Sequence, residues 1–295
     1  MKTESKLTEH EPAGFEAREL RYHGSVVRYL VGGAGPPLVL VHGLGSAASN
    51  WLRIAPSLAE GRRVVVPELP GHGGSGSLAA APALDDFAEA VLAVLEHEDA
   101  LPAPWVGHSL GGLVGLRAAA LRPDAITGLV LAAAAGISSA SRSGELTVTW
   151  IGRLRPERFV TPHRRRVARS HWGRTLAFGW WGVADPLGFD AEMAEAFLAG
   201  AARHTDTRSA GAALIRFDPR HDLERVGCPC LCLWGSSDNW VPLTDGIDYA
   251  RRLRAPLRVI ADCGHLLIGE RPDVVLMAVR DFLASLDEPD SSASD

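Results

Sequence analysis

The chain has 295 residues, a formal net charge of −5 and a pI of about 6.1. This length suits one large α/β domain with an inserted subdomain. This charge balance implies no basic surface for nucleic acid, and we expect a small-molecule substrate. Residues 1–17 lack the apolar core of a signal peptide, and no apolar run is long enough to cross a bilayer. We therefore expect a cytoplasmic protein. We further expect a monomer or homodimer, with disordered tails over residues 1–17 and 287–295.

Eight segments have the composition of β-strands. The first two, 18–23 and 25–31, meet at Gly24 and are expected to be antiparallel. The later ones are short apolar runs, as is typical of strands that are buried on both faces of a parallel sheet. They cover residues 38–41, 63–67, the run from Pro104 into Ser109, 126–131, 230–234 and 257–260.

Helical patterns alternate with these strands, which predicts a doubly wound, mostly parallel eight-stranded sheet. The exception is 137–212, which holds helical stretches and four of the eight tryptophans, but no convincing buried strand. The helical stretches cover 146–154, 162–170 and 191–203, and the tryptophans are Trp150, Trp172, Trp180 and Trp181. We interpret 137–212 as a helical cap after the sixth strand, and 18–136 with 213–286 as the core.

The segment 107–111 reads Gly-His-Ser-Leu-Gly and is centred on Ser109, between a predicted strand and a predicted helix. A Gly-x-Ser-x-Gly sequence in this context places its serine on a strained strand-to-helix turn, with the hydroxyl clear of the backbone. A side chain at Gly107 or Gly111 would keep the strand and the helix apart. Ser109 is therefore the candidate nucleophile.

A serine hydroxyl needs a base to take its proton, and the base needs a third group to orient it. In this architecture the acid and then the histidine follow the serine, each on a loop after a strand. Asp238 follows the strand 230–234, and His265 follows the strand 257–260. The loop 132–136 carries no carboxylate, which favours Asp238 as the acid. Both candidates belong to the carboxyl ends of parallel strands, where open α/β sheets place their sites.

Acyl transfer also needs N–H donors that face the developing oxyanion. We expect one from the backbone of Leu110, directly after the serine, and one from Leu44, in the loop after the strand 38–41. His42 and His72 lie in glycine-rich loops, and we expect them to make local backbone hydrogen bonds.

No cofactor or metal is required by this chemistry. Cys228, Cys230 and Cys232 alternate along one strand and are interpreted as small buried apolar residues, because no histidine or carboxylate lies close in sequence. The run 164–166, three arginines, is interpreted as a solvated helix face.

Over nearly its full length the chain resembles the α/β-hydrolase superfamily. The resemblance implies Ser109 as nucleophile, His265 as base, Asp238 as orienting acid, and Leu44 and Leu110 as oxyanion donors. It rests on residues 42–45 (His-Gly-Leu-Gly) with Trp51, 70–75 (Pro-Gly-His-Gly-Gly-Ser), 107–112 (Gly-His-Ser-Leu-Gly-Gly), 234–238 (Trp-Gly-Ser-Ser-Asp) with Pro242, and 264–265 (Gly-His).

Two features qualify the resemblance. Glu68 stands where relatives usually carry an aspartate, which we interpret as a minor structural difference. Epoxide hydrolases and haloalkane dehalogenases of this fold use an aspartate nucleophile, so a chain with Ser109 is not expected to be one of them.

We expect the cap to roof a pocket for an apolar acyl or alcohol group. The predicted substrate-binding residues are Trp51, His108, Trp150, Trp180, Trp181, Trp240 and Leu266. The favoured activity is hydrolysis of carboxylic esters through an acyl-enzyme on Ser109. Hydrolysis of C–C bonds in ring-cleavage products is an alternative, because Ser49-Asn50-Trp51 with Arg53 resembles such enzymes, although Leu266 stands where they usually carry an aromatic residue. A lactonase, a thioesterase, a biosynthetic cyclase and a ligand-sensing relative with vestigial turnover also remain open.

Overall fold

A computed structural model gives the three-dimensional structure of the chain. It describes residues 3–5, 10–78, 81–138, 161–179, 182–201 and 203–288, with the backbone alone for 3–5, 161 and 201. The helix predicted over 146–154 lies outside the described residues, as do Trp150, Trp180 and Trp181. Among the helices that are described, none has both the length and the apolar character needed to cross a bilayer.

The strands form one sheet in the order β1-β2-β3-β5-β4-β6-β7-β8-β9. They are β1 (Thr3–Ser5), β2 (Phe15–Tyr22), β3 (Ser25–Gly32), β4 (Pro37–Val41), β5 (Arg63–Pro67), β6 (Ala103–His108), β7 (Ile126–Ala132), β8 (Cys230–Gly235) and β9 (Leu257–Ile260). The first four strands of this order, β1-β2-β3-β5, pair antiparallel with one another. From β5 onwards, the neighbours β5-β4-β6-β7-β8-β9 pair parallel. The predicted mostly parallel sheet is confirmed, with one strand more than the eight expected.

The additional strand lies in the N-terminal segment that was predicted to be disordered. β1 pairs with residues 17–19 of β2, and β2 itself begins at Phe15, which is buried. Glu11 also has a place in the fold, because its carboxylate accepts hydrogen bonds from the buried Arg28 at 2.8 and 3.0 Å. The described part of segment 1–17 therefore differs from the prediction. The free backbone groups along the outer edge of β2 and the buried charge of Arg28 both need partners that this segment supplies.

The centre of the sheet is apolar on both faces. Residues 39–41 of β4 and 64–66 of β5 are fully buried, and all are Val or Leu. Each such side chain contributes about 1.5–3 kcal/mol through its removal from water. This rigid centre holds the loops at the carboxyl ends of the parallel strands.

Ten α-helices are described, and those of the core flank the sheet. They are α1 (Ala55–Ala59), α2 (Leu84–His97), α3 (Leu110–Leu121), α4 (Arg164–Arg169), α5 (His171–Phe178), α6 (Ala191–Ala201), α7 (Thr207–Arg216), α8 (Leu243–Leu253), α9 (Leu267–Glu270) and α10 (Pro272–Asp287). α3 packs on β6 and β7 beside α2, and α10 contacts β7 and α1. A 3₁₀ helix, Ala48–Trp51, contacts α6 and α9.

The helices α4 to α7 lie in or overlap the predicted cap. α6 ends at Ala201 rather than at residue 203, and α7 extends beyond the expected boundary at 212 to Arg216. The predicted cap contacts the core closely at Gly71, whose carbonyl accepts hydrogen bonds from the backbone N–H groups of Thr205 and Asp206 at 2.9 and 3.0 Å. A Cβ at Gly71 would lie 2.2 Å from the Asp206 carbonyl oxygen, so the approach requires glycine. The domain boundaries themselves stay a prediction.

Glu68 links the predicted cap to the core. Its carboxylate is fully buried and accepts hydrogen bonds from Gly74 N at 2.7 Å, from Arg28 at 3.3 Å and from Arg203, in the predicted cap, at 3.2 Å. Glu11 pairs with the same two arginines. A buried carboxylate is tolerated only when it is paired and hydrogen-bonded, and Glu68 has both kinds of partner.

Glu68→Gln should lower the free energy of unfolding by about 2–4 kcal/mol, because it leaves buried arginine charge partly uncompensated while it keeps the side-chain volume. Urea unfolding measures this difference. The matched control is Glu60→Gln, since Glu60 pairs with Arg280 on the surface and should cost less than about 1 kcal/mol. Equal losses in the two variants would contradict a structural role for the Glu68 network.

Candidate active site

Three side chains from different parts of the chain meet beyond the carboxyl ends of the parallel strands. Ser109 directly follows β6, Asp238 follows β8, and His265 lies in the loop after β9. Because parallel strands end at the same edge of the sheet, the loops that follow them are neighbours although their residues are far apart in sequence.

Ser109 occupies a tight turn between β6 and α3, with φ +53° and ψ −118°. A positive φ is uncommon for a residue with a side chain and marks local strain. The turn depends on close backbone contact: a Cβ at Gly107 would lie 2.3 Å from Gly111 O, and one at Gly111 would lie 2.3 Å from Val41 O. The two glycines therefore allow the strand–turn–helix geometry that presents the Ser109 hydroxyl.

The three side chains form a continuous hydrogen-bonded chain. Ser109 Oγ lies 3.0 Å from His265 Nε2, and His265 Nδ1 lies 2.9 Å from Asp238 Oδ2. An ionised carboxylate can only accept, so Nδ1 carries the proton and the Nε2 lone pair of the neutral imidazole faces the serine hydroxyl. All three residues are buried.

The carboxylate of Asp238 is held by the backbone that follows it. Its Oδ1 accepts hydrogen bonds from Trp240 N at 2.9 Å and from Val241 N at 2.8 Å. These two donors satisfy one oxygen and leave the other for His265. The turn after β8 thus orients the acid, and the acid orients the imidazole.

The two backbone segments expected to supply oxyanion donors lie next to Ser109. Leu110 is the first residue of α3, so its N–H has no acceptor within the helix. The loop of Leu44 packs directly on the serine, because a Cβ at Gly43 would lie 3.0 Å from Ser109 Cβ. The arrangement brings both predicted donor loops to the same side chain.

His42 determines the orientation of the peptide between Gly43 and Leu44. Its Nε2 accepts a hydrogen bond from Leu69 N at 3.0 Å, so its Nδ1 carries the proton and donates to Gly43 O at 2.8 Å. A trans peptide directs its C=O and N–H to opposite sides, so this bond also sets the direction of the Leu44 N–H. Burial lowers the pKa of His42 to about 3, which keeps the ring neutral for both roles. His72 likewise donates to a local carbonyl, Pro70 O, at 3.1 Å, as expected of both loop histidines.

His108 contacts the backbone of the histidine in the site. It is 1% exposed, and its Nε2 donates to His265 O at 2.9 Å. Burial, with a smaller contribution from the nearby His265, lowers the pKa of His108 to about 3. The structure thus gives this predicted substrate-binding residue a supporting contact to the His265 loop.

The other predicted pocket residues have different surroundings. Trp51 is fully buried in the hydrophobic core, and Leu266 is 2% exposed beside His265. Trp240 is half-buried and contributes its backbone N–H to Asp238. Within the described part of the chain the four cysteines are free, and no group of His, Cys, Asp or Glu is arranged to hold a metal ion.

Glu270 is a residue of the site region that the sequence analysis missed. It is nearly buried, and its Oε2 accepts a hydrogen bond from Gly264 N, next to His265, at 2.7 Å. The sequence offered one signal for it: Glu270 is an acidic residue that directly follows the run 266–269, which contains Leu, Ile and Gly only. Such a residue is buried only when it has partners, and the sequence does not show what they are.

The family model of the alpha/beta hydrolase fold matches residues 36–272. This span covers most of the chain and includes all three residues of the hydrogen-bonded chain. The protein belongs to the α/β-hydrolase fold family, as its motifs suggested.

Three relatives are similar over most of this chain. A dihydrolipoyllysine-residue acetyltransferase component of an acetoin cleaving system from Pseudomonas putida is 33% identical, over 88% of this chain and 67% of its own length. A 2-hydroxymuconate semialdehyde hydrolase from Pseudomonas sp. (strain CF600) is 31% identical, over 86% and 89%. A pimeloyl-[acyl-carrier protein] methyl ester esterase from Sodalis glossinidius is 34% identical, over 70% and 76%. The solved structure of a putative lipase from Acinetobacter baumannii AYE shares the fold, with a TM-score of 0.75, 22% identity and 93% of each chain covered.

The buried histidines predict a loss of stability in mild acid. The pKa of His108 is depressed in the folded protein, so below pH 6.5 the unfolded state binds more protons and the free energy of unfolding falls as the pH falls towards 3. His108→Gln should reduce this slope by about 1.4 kcal/mol per pH unit between pH 6.5 and 4, because glutamine keeps a donor to His265 O but does not titrate.

Urea unfolding at several pH values measures the slope. The matched control, His23→Gln, removes an exposed histidine and should keep the wild-type slope. An unchanged slope in His108→Gln would show that the ring is not held neutral by burial.

Proposed function

We propose that the protein is a serine hydrolase that cleaves carboxylic esters through an acyl-enzyme on Ser109. The observation that carries this proposal is the pair of hydrogen bonds that links Ser109 Oγ to His265 Nε2 and His265 Nδ1 to Asp238. Membership of the α/β-hydrolase fold family supports a hydrolytic activity. The name of the Sodalis relative, a methyl ester esterase, supports an ester as substrate.

In the first half of the reaction, His265 Nε2 takes the proton of the Ser109 hydroxyl while Oγ attacks the ester carbonyl carbon. The negative charge then develops on the carbonyl oxygen. The N–H groups of Leu110 and Leu44 would donate to that oxygen, and each such donor is worth about 2.7–4 kcal/mol of barrier. The imidazolium returns its proton to the leaving alkoxide, which departs as the alcohol and leaves the acyl group on Oγ.

In the second half, a water molecule gives a proton to His265 Nε2 and attacks the acyl carbon. The carbon–Oγ bond then breaks, the proton passes from His265 to Oγ, and the carboxylic acid leaves. In both halves the Asp238 carboxylate holds the neutral His265 ring in the tautomer with its proton on Nδ1, and it stabilises the positive imidazolium that forms when Nε2 takes a second proton. Its two backbone donors, Trp240 N and Val241 N, keep it in place.

We further propose an apolar acyl or alcohol group in the substrate. A leucine adjoins each reacting element: Leu44 in the oxyanion loop, Leu110 after the nucleophile and Leu266 after the base. Leu110 and Leu266 belong to the buried apolar core, and Leu44 packs against it. Apolar surroundings favour an apolar ligand and exclude water that would weaken the electrostatic contacts of the site.

Ser109→Ala should lower the turnover of p-nitrophenyl esters by at least about 10⁴-fold, because it removes the hydroxyl on which the proposed acyl-enzyme forms. The variant should also lose covalent labelling by a fluorophosphonate, which intact-mass spectrometry detects. The matched control, Ser285→Ala, changes an exposed serine of α10 and should retain full activity and labelling. Normal turnover in Ser109→Ala would reject the proposal.

Hydrolysis of a C–C bond in a vinylogous 1,5-diketone acid is the second candidate, and the 2-hydroxymuconate semialdehyde hydrolase relative favours it. Two observations weigh against it. Leu266, not an aromatic residue, follows His265, and Arg53 pairs with Asp190 and Glu192, with 43% of its side chain exposed.

A substrate panel separates the candidates. Esters of increasing acyl length, lactones, a thioester and a vinylogous 1,5-diketone acid should be compared on the wild type and on Ser109→Ala. We expect the highest kcat/KM for an ester with an apolar group. A higher kcat/KM for the diketone acid would favour the C–C hydrolase, and labelling without any turnover would favour a ligand sensor.

A further inference from the structure

The carboxylate of Glu270 contacts two separate parts of the chain at once. Its Oε2 accepts from Gly264 N at 2.7 Å, and its Oε1 accepts from Ala184 N and Asp185 N at 2.9 Å each. Gly264 directly precedes His265, whereas Ala184 and Asp185 belong to the predicted cap. One nearly buried side chain therefore joins the His265 loop to the cap.

The same cap segment also contacts the other side of His265. Leu266 N donates to Gly182 O at 2.7 Å. The packing around Gly264 is tight as well, because a Cβ there would lie 2.8 Å from both Gly182 O and Val183 Cα. The residues before and after His265 are thus both attached to the segment 182–185.

A carboxylate is the side chain that suits this position. It offers only acceptors, and here its two oxygens receive three backbone N–H groups from two directions. An amide of the same shape has one acceptor oxygen and one NH₂ group, so it would face either Gly264 or the cap with a donor. The mismatched N–H groups would then be left unpaired in a buried place, which is costly.

We propose that Glu270 is a positioning residue. It holds the His265 loop and the cap segment 182–185 in a fixed relative position, so that His265 Nε2 stays within hydrogen-bond distance of Ser109 Oγ. The inference rests on the proposed function, in which His265 is the base. Proton transfer requires this short distance, 3.0 Å in the structure, and a displacement of about 1 Å can cost 10²-fold in rate.

This role predicts which kinetic quantity changes. Loss of the Glu270 bonds displaces the base, so it slows the proton-transfer steps and lowers kcat. Simple loosening of the cap would raise KM with kcat unchanged, and simple destabilisation would lower the fraction of folded enzyme without altering the turnover of each active site.

The experiment compares the wild type, Glu270→Gln and the control Asp273→Asn, an acid-to-amide change at an exposed position of the neighbouring α10. Active sites are counted by the end-point of fluorophosphonate labelling, and kcat and KM for a p-nitrophenyl ester are expressed per labelled site. We expect Glu270→Gln to lose about 10- to 100-fold in kcat per site, with the rate of labelling reduced in parallel and KM within about threefold of wild type. Asp273→Asn should match the wild type.

A kcat per labelled site within about twofold of wild type in Glu270→Gln would overturn the inference, as would a rise in KM alone. Failure of the proposed function looks different: the wild type and Asp273→Asn would then show neither labelling nor ester turnover, and the inference would fall with it.

If Glu270→Gln does not fold, Glu270→Asp supplies the test. Aspartate keeps the charge but is one methylene shorter, so it can reach Gly264 or the cap and not both. Its kcat per labelled site should fall by about tenfold. A wild-type value would reject the positioning role.

Discussion

The hydrogen bond between Asp238 and His265 is the contact on which the arrangement of the site depends. The carboxylate is buried and receives three donors, two from its own turn and one from the imidazole. Because it cannot donate, it selects the tautomer in which Nε2 faces Ser109 with a free lone pair. Two other features bring the three side chains together. The parallel strands end at one edge of the sheet, and the glycines at 107 and 111 allow the tight turn that places Ser109 within hydrogen-bond distance of His265.

Buried polar groups support the site from several sides. His42 orients the Gly43 carbonyl, and His108 donates to the carbonyl of His265. Both rings act as neutral donors, since burial lowers the pKa of each to about 3. Two buried carboxylates, Glu68 and Glu270, bind groups of the core and of the predicted cap at the same time. The predicted cap is therefore attached to the core by directional hydrogen bonds, and one of those made by Glu270 ends at Gly264, next to His265.

Much of the fold was predictable because the signals are local. Short Val- and Leu-rich runs between glycine-rich loops indicate strands of a parallel sheet, and the small residues around Ser109 indicate a strand-to-helix turn. The N-terminal segment was misjudged for a physical reason. Glu11 and Phe15 gain their place only through contact with Arg28 and the neighbouring strands, and a polar composition does not reveal such partners. Glu270 was missed for the same reason, since its three donors are backbone N–H groups that no side-chain pattern encodes.

By itself, the sequence determined the mostly parallel sheet and the candidates Ser109, Asp238 and His265. It could do so because the spacing of apolar residues and the residue types in turns are properties of neighbouring residues. Only the tertiary structure decided the distances of 2.9 and 3.0 Å that join those side chains. It also decided that His108 supports the His265 backbone and that Glu270 bridges to the segment 182–185. These contacts join residues up to 157 positions apart, and their geometry is set by how the loops at the sheet edge pack together.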